Sequence, residues 1–224
     1  MLEALDIGLS YGATPALRRV DLTLAAGSRT ALMGPSGSGK SSLLHCLAGV
    51  LVPDRGRVVF DGQDLTGLSD RERSALRLRH MGVVFQFGDL VPELTLIENV
   101  MLPLQLLGVK RAAARASARD LLGELGVADV ADSRTGAVSG GQTQRAAVAR
   151  ALVHEPRVVL ADEPTGSLDT VNAEGVLDAM VALSTRMGAA LVVVTHDNLV
   201  ASHLDDLVVL RDGMLDLSAR EAVG

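Results

Sequence analysis

Short apolar runs rich in Val and Leu recur along the chain: Leu22 to Leu24, Thr30 to Met33, Val58 to Phe60, Gly82 to Phe85, Val158 to Ala161, Leu191 to Thr195 and Leu207 to Leu210. Runs of this kind, alternating with helical patterns, read as strands covered on both faces and predict an α/β sheet. Between about Phe87 and Val138 the rhythm changes, and no strand pattern occurs. Thr95-Leu96-Ile97-Glu98 is a capping box that opens one helix, and Lys110 to Gly126 reads as another, ended by Gly126. The expectation is a single domain over 1–224, with a core from 1–86 and 155–224 interrupted by a helical part, 87–154. There is no internal repeat, and Leu217 to Gly224 is expected to fray.

Composition narrows the picture. The 21 basic and 27 acidic residues leave a net charge of −6, which offers no footprint for nucleic acid. Apolar residues make up 48% and the mean hydropathy is +0.30, yet no stretch approaches the roughly 18 to 20 apolar residues of a membrane span. The first residues, Met1-Leu2-Glu3-Ala4-Leu5-Asp6, lack a basic start and an apolar core, so a cytoplasmic location is expected. The lone Cys46 agrees with a reducing compartment and reads as a small buried hydrophobe. Arg111, Arg115 and Arg119 fall four apart on one helix face. A contact with a membrane surface or acidic partner is open, but a solvated face is the preferred reading.

The chemistry begins at Gly34-Pro35-Ser36-Gly37-Ser38-Gly39-Lys40-Ser41, which follows the apolar run ending at Met33 and matches the pattern GxxxxGK[ST]. A chain turning from strand to helix around a phosphate chain needs glycines and bare amides. The amides and the helix N-terminus, continuing through Ser42, make an anion cradle. Lys40 is placed to reach the β- and γ-phosphates, and the Ser41 hydroxyl to ligate Mg²⁺. Downstream, Val158 to Ala161 delivers Asp162 and Glu163 at a strand's C-terminal end, where open α/β sheets bind ligands. Asp162 is expected to hold the metal and Glu163 to act as general base toward the attacking water. Gln86 and His196 follow two further strand runs, and Asp169 follows the turn Gly166-Ser167-Leu168. A glutamine can bridge metal and water, and a histidine can donate to the γ-phosphate and orient the water. His45, His80, His154 and His203 receive no site.

Ser139-Gly140-Gly141-Gln142 opens a helical stretch that Pro156 terminates. One reading is a capping box between Ser139 and Gln142. The two glycines, poor helix residues, fit a second contact with a γ-phosphate instead. One phosphate is not easily gripped by two distant helix starts of one chain, so that reading implies a head-to-tail dimer.

With these motifs in order, the chain resembles an ATP-binding-cassette (ABC) ATPase over nearly its whole length. The resemblance implies a P-loop NTPase fold: a RecA-like α/β core with an antiparallel β flank and an inserted helical subdomain. It further implies a homodimer sandwiching two ATP molecules. Tyr11 matches the aromatic that stacks on adenine in such proteins, and Arg145 the basic residue after the signature. Val138 and Thr143 depart from the usual leucine and glutamine without changing a phosphate-contacting group. Met81 to Phe87 and Glu98 to Leu104 resemble the branch of lipoprotein-releasing, macrolide-exporting and cell-division cassettes. That branch works with permeases of few membrane helices and large extracytoplasmic domains, which places the chain at the cytoplasmic face of the membrane. The apolar surface around Leu94 to Leu107 would then receive a coupling helix of the permease, with part of the segment belonging to the core. A regulatory cassette controlling an extracytoplasmic hydrolase, and a soluble non-transport cassette, are the alternatives.

Overall fold

A computed structural model describes residues 1–86, 89–166, 168 and 170–216, with the side chains of 170–172 excepted. Phe87, Gly88, Ser167, Asp169 and the stretch 217–224 lie outside the described residues.

Two sheets organise the chain. The first is four-stranded, in the order β2-β1-β4-β5, and antiparallel throughout. It comprises β1 (Leu2–Tyr11), β2 (Thr14–Leu24), β4 (Arg55–Phe60) and β5 (Gln63–Asp64). The second is six-stranded, in the order β10-β9-β3-β8-β7-β6. Its parallel part consists of β3 (Arg29–Met33), β6 (Met81–Val84), β7 (Val158–Asp162), β8 (Ala190–Val194) and β9 (Asp206–Arg211). β10 (Met214–Asp216) closes one edge as an antiparallel hairpin.

The parallel strands behave as their apolar runs require. Along β7 and β8, Val158, Leu160, Ala190, Val192 and Val194 enter one core, while Val159, Ala161, Leu191 and Val193 enter the other. Successive side chains point to opposite faces, so burial on both faces requires an unbroken apolar sequence. Two of the predicted runs are different. Leu22 to Leu24 and Val58 to Phe60 belong to the antiparallel sheet, and along β2 Leu22 and Leu24 are buried while Thr23 is exposed. One face of that strand is solvated, the usual arrangement for an antiparallel flank.

The helices are α1 (Lys40–Leu47), α2 (Asp70–His80), α3 (Leu96–Leu106), α4 (Arg111–Glu124), α5 (Gly140–Leu152), α6 (Thr170–Met187) and α7 (Asn198–Ala201). The capping box predicted at Thr95 forms, with the Glu98 N–H on Thr95 Oγ1 at 3.3 Å and the Thr95 N–H on Glu98 Oε2 at 3.1 Å. α4 ends as predicted, with Gly126 in a left-handed conformation at φ 70° just beyond it. A continuous apolar core joins α3, α4 and α5 to α6 and to one face of the parallel sheet. Cys46 is buried in the other core, where burial and the Asp54 carboxylate push its thiol up to about 12.

The arginine face of α4 is satisfied within the chain. Arg115 and Arg119 donate to the two oxygens of Asp132 at 2.6 and 2.9 Å, and Arg111 lies 3.7 Å from Glu98. Both Arg115 and Arg119 hold the Asp132 carboxyl below its usual range. The solvated-face reading therefore describes this surface.

Candidate active site

β3, β8, β7 and β6 are consecutive neighbours, and the segments leaving their C-terminal ends meet in one place. β3 leads into the glycine loop, β8 into His196, β7 into Glu163 and β6 into Gln86. A cleft of ≈ 740 Å³ lies there, and Tyr11, Ser36, Gly37, Gly39, Lys40, Ser41, Ser42, Gln86, Glu163 and His196 line it.

Two glycines of the loop are required by contact as well as by conformation. Gly34 has φ 147°, and a Cβ built on it would stand 2.1 Å from the Leu210 carbonyl oxygen. Gly39 has φ 101°, and its Cβ would meet the Ala16 carbonyl oxygen at 2.4 Å. Any side chain would therefore push the loop off the strands that support it. Gly34 and Pro35 are not among the residues lining the cleft, and their carbonyls accept from Lys40 Nζ at 2.8 and 2.9 Å. Ser38 turns inward and is buried, and its carbonyl accepts from the Gly213 N–H at 3.0 Å. α2, α3 and α5 each begin with a capping box, whereas α1 begins at Gly39 with no side-chain cap. Its first-turn amides are free to bind an anion.

Opposite the loop, the Glu163 carboxylate is held from two sides. His196 Nδ1 lies 3.0 Å from Glu163 Oε1, and Gln86 Nε2 donates to Glu163 Oε2 at 3.3 Å. Glu163 has φ 44°, an uncommon conformation for a non-glycine residue and one that clusters at functional sites. Asp162 precedes it, buried at the end of β7 beside Val194. Tyr11 is exposed at the rim, with its hydroxyl 3.3 Å from Ser42 Oγ.

The four residues Ser139, Gly140, Gly141 and Gln142 do not line the cleft. They form the start of α5, where the Gln142 N–H donates to Ser139 Oγ at 3.2 Å and the Ser139 N–H to Gln142 Oε1 at 2.9 Å. The capping-box reading is thus realised. Asp169 lies outside the described residues. The residues that could hold a metal are Ser41 and Gln86 in the cleft wall and Asp162 at the strand end. All three supply oxygen, which suits a hard cation such as Mg²⁺.

Two parts of the site escaped the sequence reading. Thr14, Pro15 and Ala16 of β2 form a wall of the cleft from the other sheet, and nothing local marks them as such. Gly213, in the turn between β9 and β10, donates to Ser38 and accepts from the Arg18 N–H at 2.7 Å, so it braces the glycine loop. Its Asp212-Gly213 pair carries the hairpin signal that could have located the turn.

A glycine cradle at a helix start, facing a held carboxylate across the ends of parallel strands, defines a P-loop nucleotide triphosphatase. Comparison with known proteins agrees. The ABC transporter family model matches residues 17–166. The lipoprotein-releasing system ATP-binding protein LolD of Geobacter metallireducens is 43% identical over 217 residues, covering 95% of this chain and 96% of that protein. LolD of Paramagnetospirillum magneticum is 45% identical over 200 residues, covering 89% of this chain and 88% of the relative. Among solved structures, the dimeric cassette MJ0796 in a post-hydrolysis state bound to ADP and Pi superposes with a TM-score of 0.92 at 34% identity, covering 96% of this chain and 97% of that one. The chain belongs to the ABC transporter family, as an ATP-binding, ATP-hydrolysing cassette of the LolD/MacB/FtsE-like branch.

Proposed function

We propose that the chain powers a membrane machine that releases or extrudes cargo through a separate permease with a large extracytoplasmic domain. The relatives named as ATP-binding proteins of lipoprotein-releasing systems, similar over nearly the whole chain, make a lipid-anchored protein the cargo this reading favours. No helix among the described residues is long and apolar enough to cross a membrane. The cassette would then sit peripherally on the cytoplasmic face and reach the bilayer through its permease.

One observation carries the enzymatic part: Glu163 is held between His196 and Gln86 in the wall of the cleft that Lys40 also lines. In this reading the triphosphate lies along the loop amides, and the Lys40 ammonium turns from the loop carbonyls to the phosphate oxygens. Tyr11 stacks on the base. Glu163 takes a proton from a water, the water oxygen attacks the γ-phosphorus, and the bond from that phosphorus to the bridging oxygen breaks, leaving with ADP. His196 orients the water and donates to the γ-phosphate. Ser41, Gln86 and Asp162 would hold Mg²⁺, which neutralises phosphate charge when bound. Asp169 joins the nucleotide-binding set.

The working unit is a head-to-tail homodimer, a reading supported by solved neighbours that are themselves dimeric. Residues 1–86 and 155–224 form the nucleotide-binding body and 87–154 the helical arm. Ser139, Gly140, Gly141 and Gln142 of one copy close on the nucleotide held by the other. A Cβ on Gly140 would meet nothing within 4 Å, so no contact inside the chain requires a glycine there. Capping leaves Ser139 its hydroxyl hydrogen, so the box and a phosphate contact are compatible.

The test is Glu163→Gln. Nucleotide affinity should be kept and turnover should fall by about 10²- to 10⁴-fold, the range for a general base. ATP should then accumulate a dimer in size-exclusion chromatography. Turnover near that of the native chain would remove Glu163 from the role.

A further inference from the structure

α5 grips the Gln86 segment on both sides. Before Gln86, Gly82 of β6 lets the Ala151 carbonyl approach so closely that a Cβ there would stand 2.2 Å from its oxygen. After Gln86, Arg150 Nη1 donates to the Asp89 carbonyl at 2.7 Å. Asp89 holds φ 42°, a conformation non-glycine residues keep only where their surroundings over-determine it. Slightly further on, the buried Asn99 takes the Val91 N–H at 2.7 Å and donates to the Val91 carbonyl at 3.0 Å. The segment between β6 and α3 is therefore pinned to helices at its exit, while Gln86 itself touches Glu163.

The same helix carries Ser139 at its other end. Arg150 lies ten residues beyond Gly140, about 15 Å along a helix axis. Ala146, Ala147, Val148, Ala149, Ala151 and Leu152 are buried, so the second half of α5 is packed into the core, and the same unbroken helix runs on to the exposed Ser139 end. Midway, Arg145 Nη1 donates to the Leu125 carbonyl at 3.0 Å and ties α5 to the end of α4.

We propose that Arg150 is a positioning residue that links Gln86 to Ser139 through α5, and so couples the two ATP sites of the dimer. Gln86 serves the site in its own chain, and Ser139 serves the site in the second copy. A displacement of Gln86 by nucleotide is carried through Asp89 and Arg150 to the Ser139 end. The guanidinium suits this task because its planar fork fixes direction as well as distance. The proposal rests on the head-to-tail reading above.

The experiment compares Glu163→Gln with the double variants carrying Arg150→Met or Arg150→Lys, titrating ATP-driven dimerisation of the full chain. In parallel, single Arg150 variants are assayed for hydrolysis against ATP concentration, nucleotide affinity and thermal midpoint. The ATP needed for half-dimerisation should rise at least about fivefold with Arg150→Met, the lower end of measured couplings between sites. The Hill coefficient of hydrolysis should fall toward one, nucleotide affinity should stay unchanged, and Arg150→Lys should be intermediate. Unchanged dimerisation and Hill coefficient in a folded Arg150 variant would overturn the coupling alone. So would parallel loss of nucleotide affinity and thermal midpoint in both variants, the signature of a structural role. Failure of Glu163→Gln itself to dimerise with ATP would sink the dimer reading and the coupling with it.

Discussion

Lys40 donates to the carbonyls of Gly34 and Pro35, and that arrangement fixes where its charge can act. The ammonium is aimed across the loop, within a side-chain rotation of any anion seated on the α1 amides. A charge-assisted hydrogen bond is worth about 1.5–3 kcal/mol, so Lys40→Ala should weaken ATP binding by about 10- to 100-fold. A fluorescent-nucleotide titration reads this directly, and unchanged affinity would contradict the cradle. His154 allows a different prediction. Its Nε2–H donates to the Met81 carbonyl at 3.2 Å, while Nδ1 has no partner among the described residues. Burial, with a smaller contribution from the charge of His80, lowers its pKa below the ordinary 6.5, against a raising effect of the Met81 bond. The folded chain thus binds this proton less readily than the unfolded one, so its contribution to stability is lost as pH falls below 6.5 toward the folded value. His154→Gln keeps a donor for Met81 and should flatten that part of the urea-midpoint profile against pH. A slope identical to that of the native chain would assign the acid sensitivity to other groups.

Among the elements, α3 depends most visibly on its first turn. Thr95 and Glu98 close the box, and Glu98 is held below its usual carboxylate range by the backbone and side-chain bonds of Thr95. Thr95→Ala should cost about 1 kcal/mol, seen as a lower urea midpoint with an unchanged m-value. How readily an element could be read from sequence follows its burial. β7 and β8 are covered on both faces, so they appear as plain apolar runs. β1 escaped because Asp6, in a left-handed conformation at φ 52°, interrupts its alternation where the register with β2 shifts between Ala4 and Ile7. α2 escaped although Ser69 and Glu72 form a capping box, because none of its residues is buried and it has no apolar stripe to detect. At the site, the glycine loop was legible because one continuous segment carries its whole chemistry. Gln86, Glu163 and His196 were each visible only as a polar residue after a strand. Their convergence depends on β6, β7 and β8 being neighbours, and sequence order does not state sheet order.

At the scale of the whole molecule, the open question is how work done at the cleft reaches a membrane from a chain with no span of its own among the described residues. The surface offers one answer in its apolar character. Leu106 at the end of α3 is 71% exposed, and Leu107 and Val109 just beyond it are 36% and 37% exposed. These residues follow one another through the turn in which the Val109 N–H bonds the Leu104 carbonyl, so they form one local patch. Exposed apolar residues gathered in this way mark interaction surfaces. The patch sits on the same α3 whose Asn99 grips Val91 and which packs against α5, so a load applied there reaches both the segment after Gln86 and the helix that begins at Ser139. Replacing Leu106 and Leu107 together by Ser should leave the basal ATPase rate and thermal midpoint of the isolated chain unchanged, since neither residue contributes to the cleft. Binding to detergent-solubilised permease should weaken about tenfold or more, the scale of losing hot-spot contacts worth ~1–2 kcal/mol, and permease-stimulated hydrolysis should fall with it. If stimulation survives the double substitution, force enters the cassette elsewhere and this patch is ordinary exposed surface.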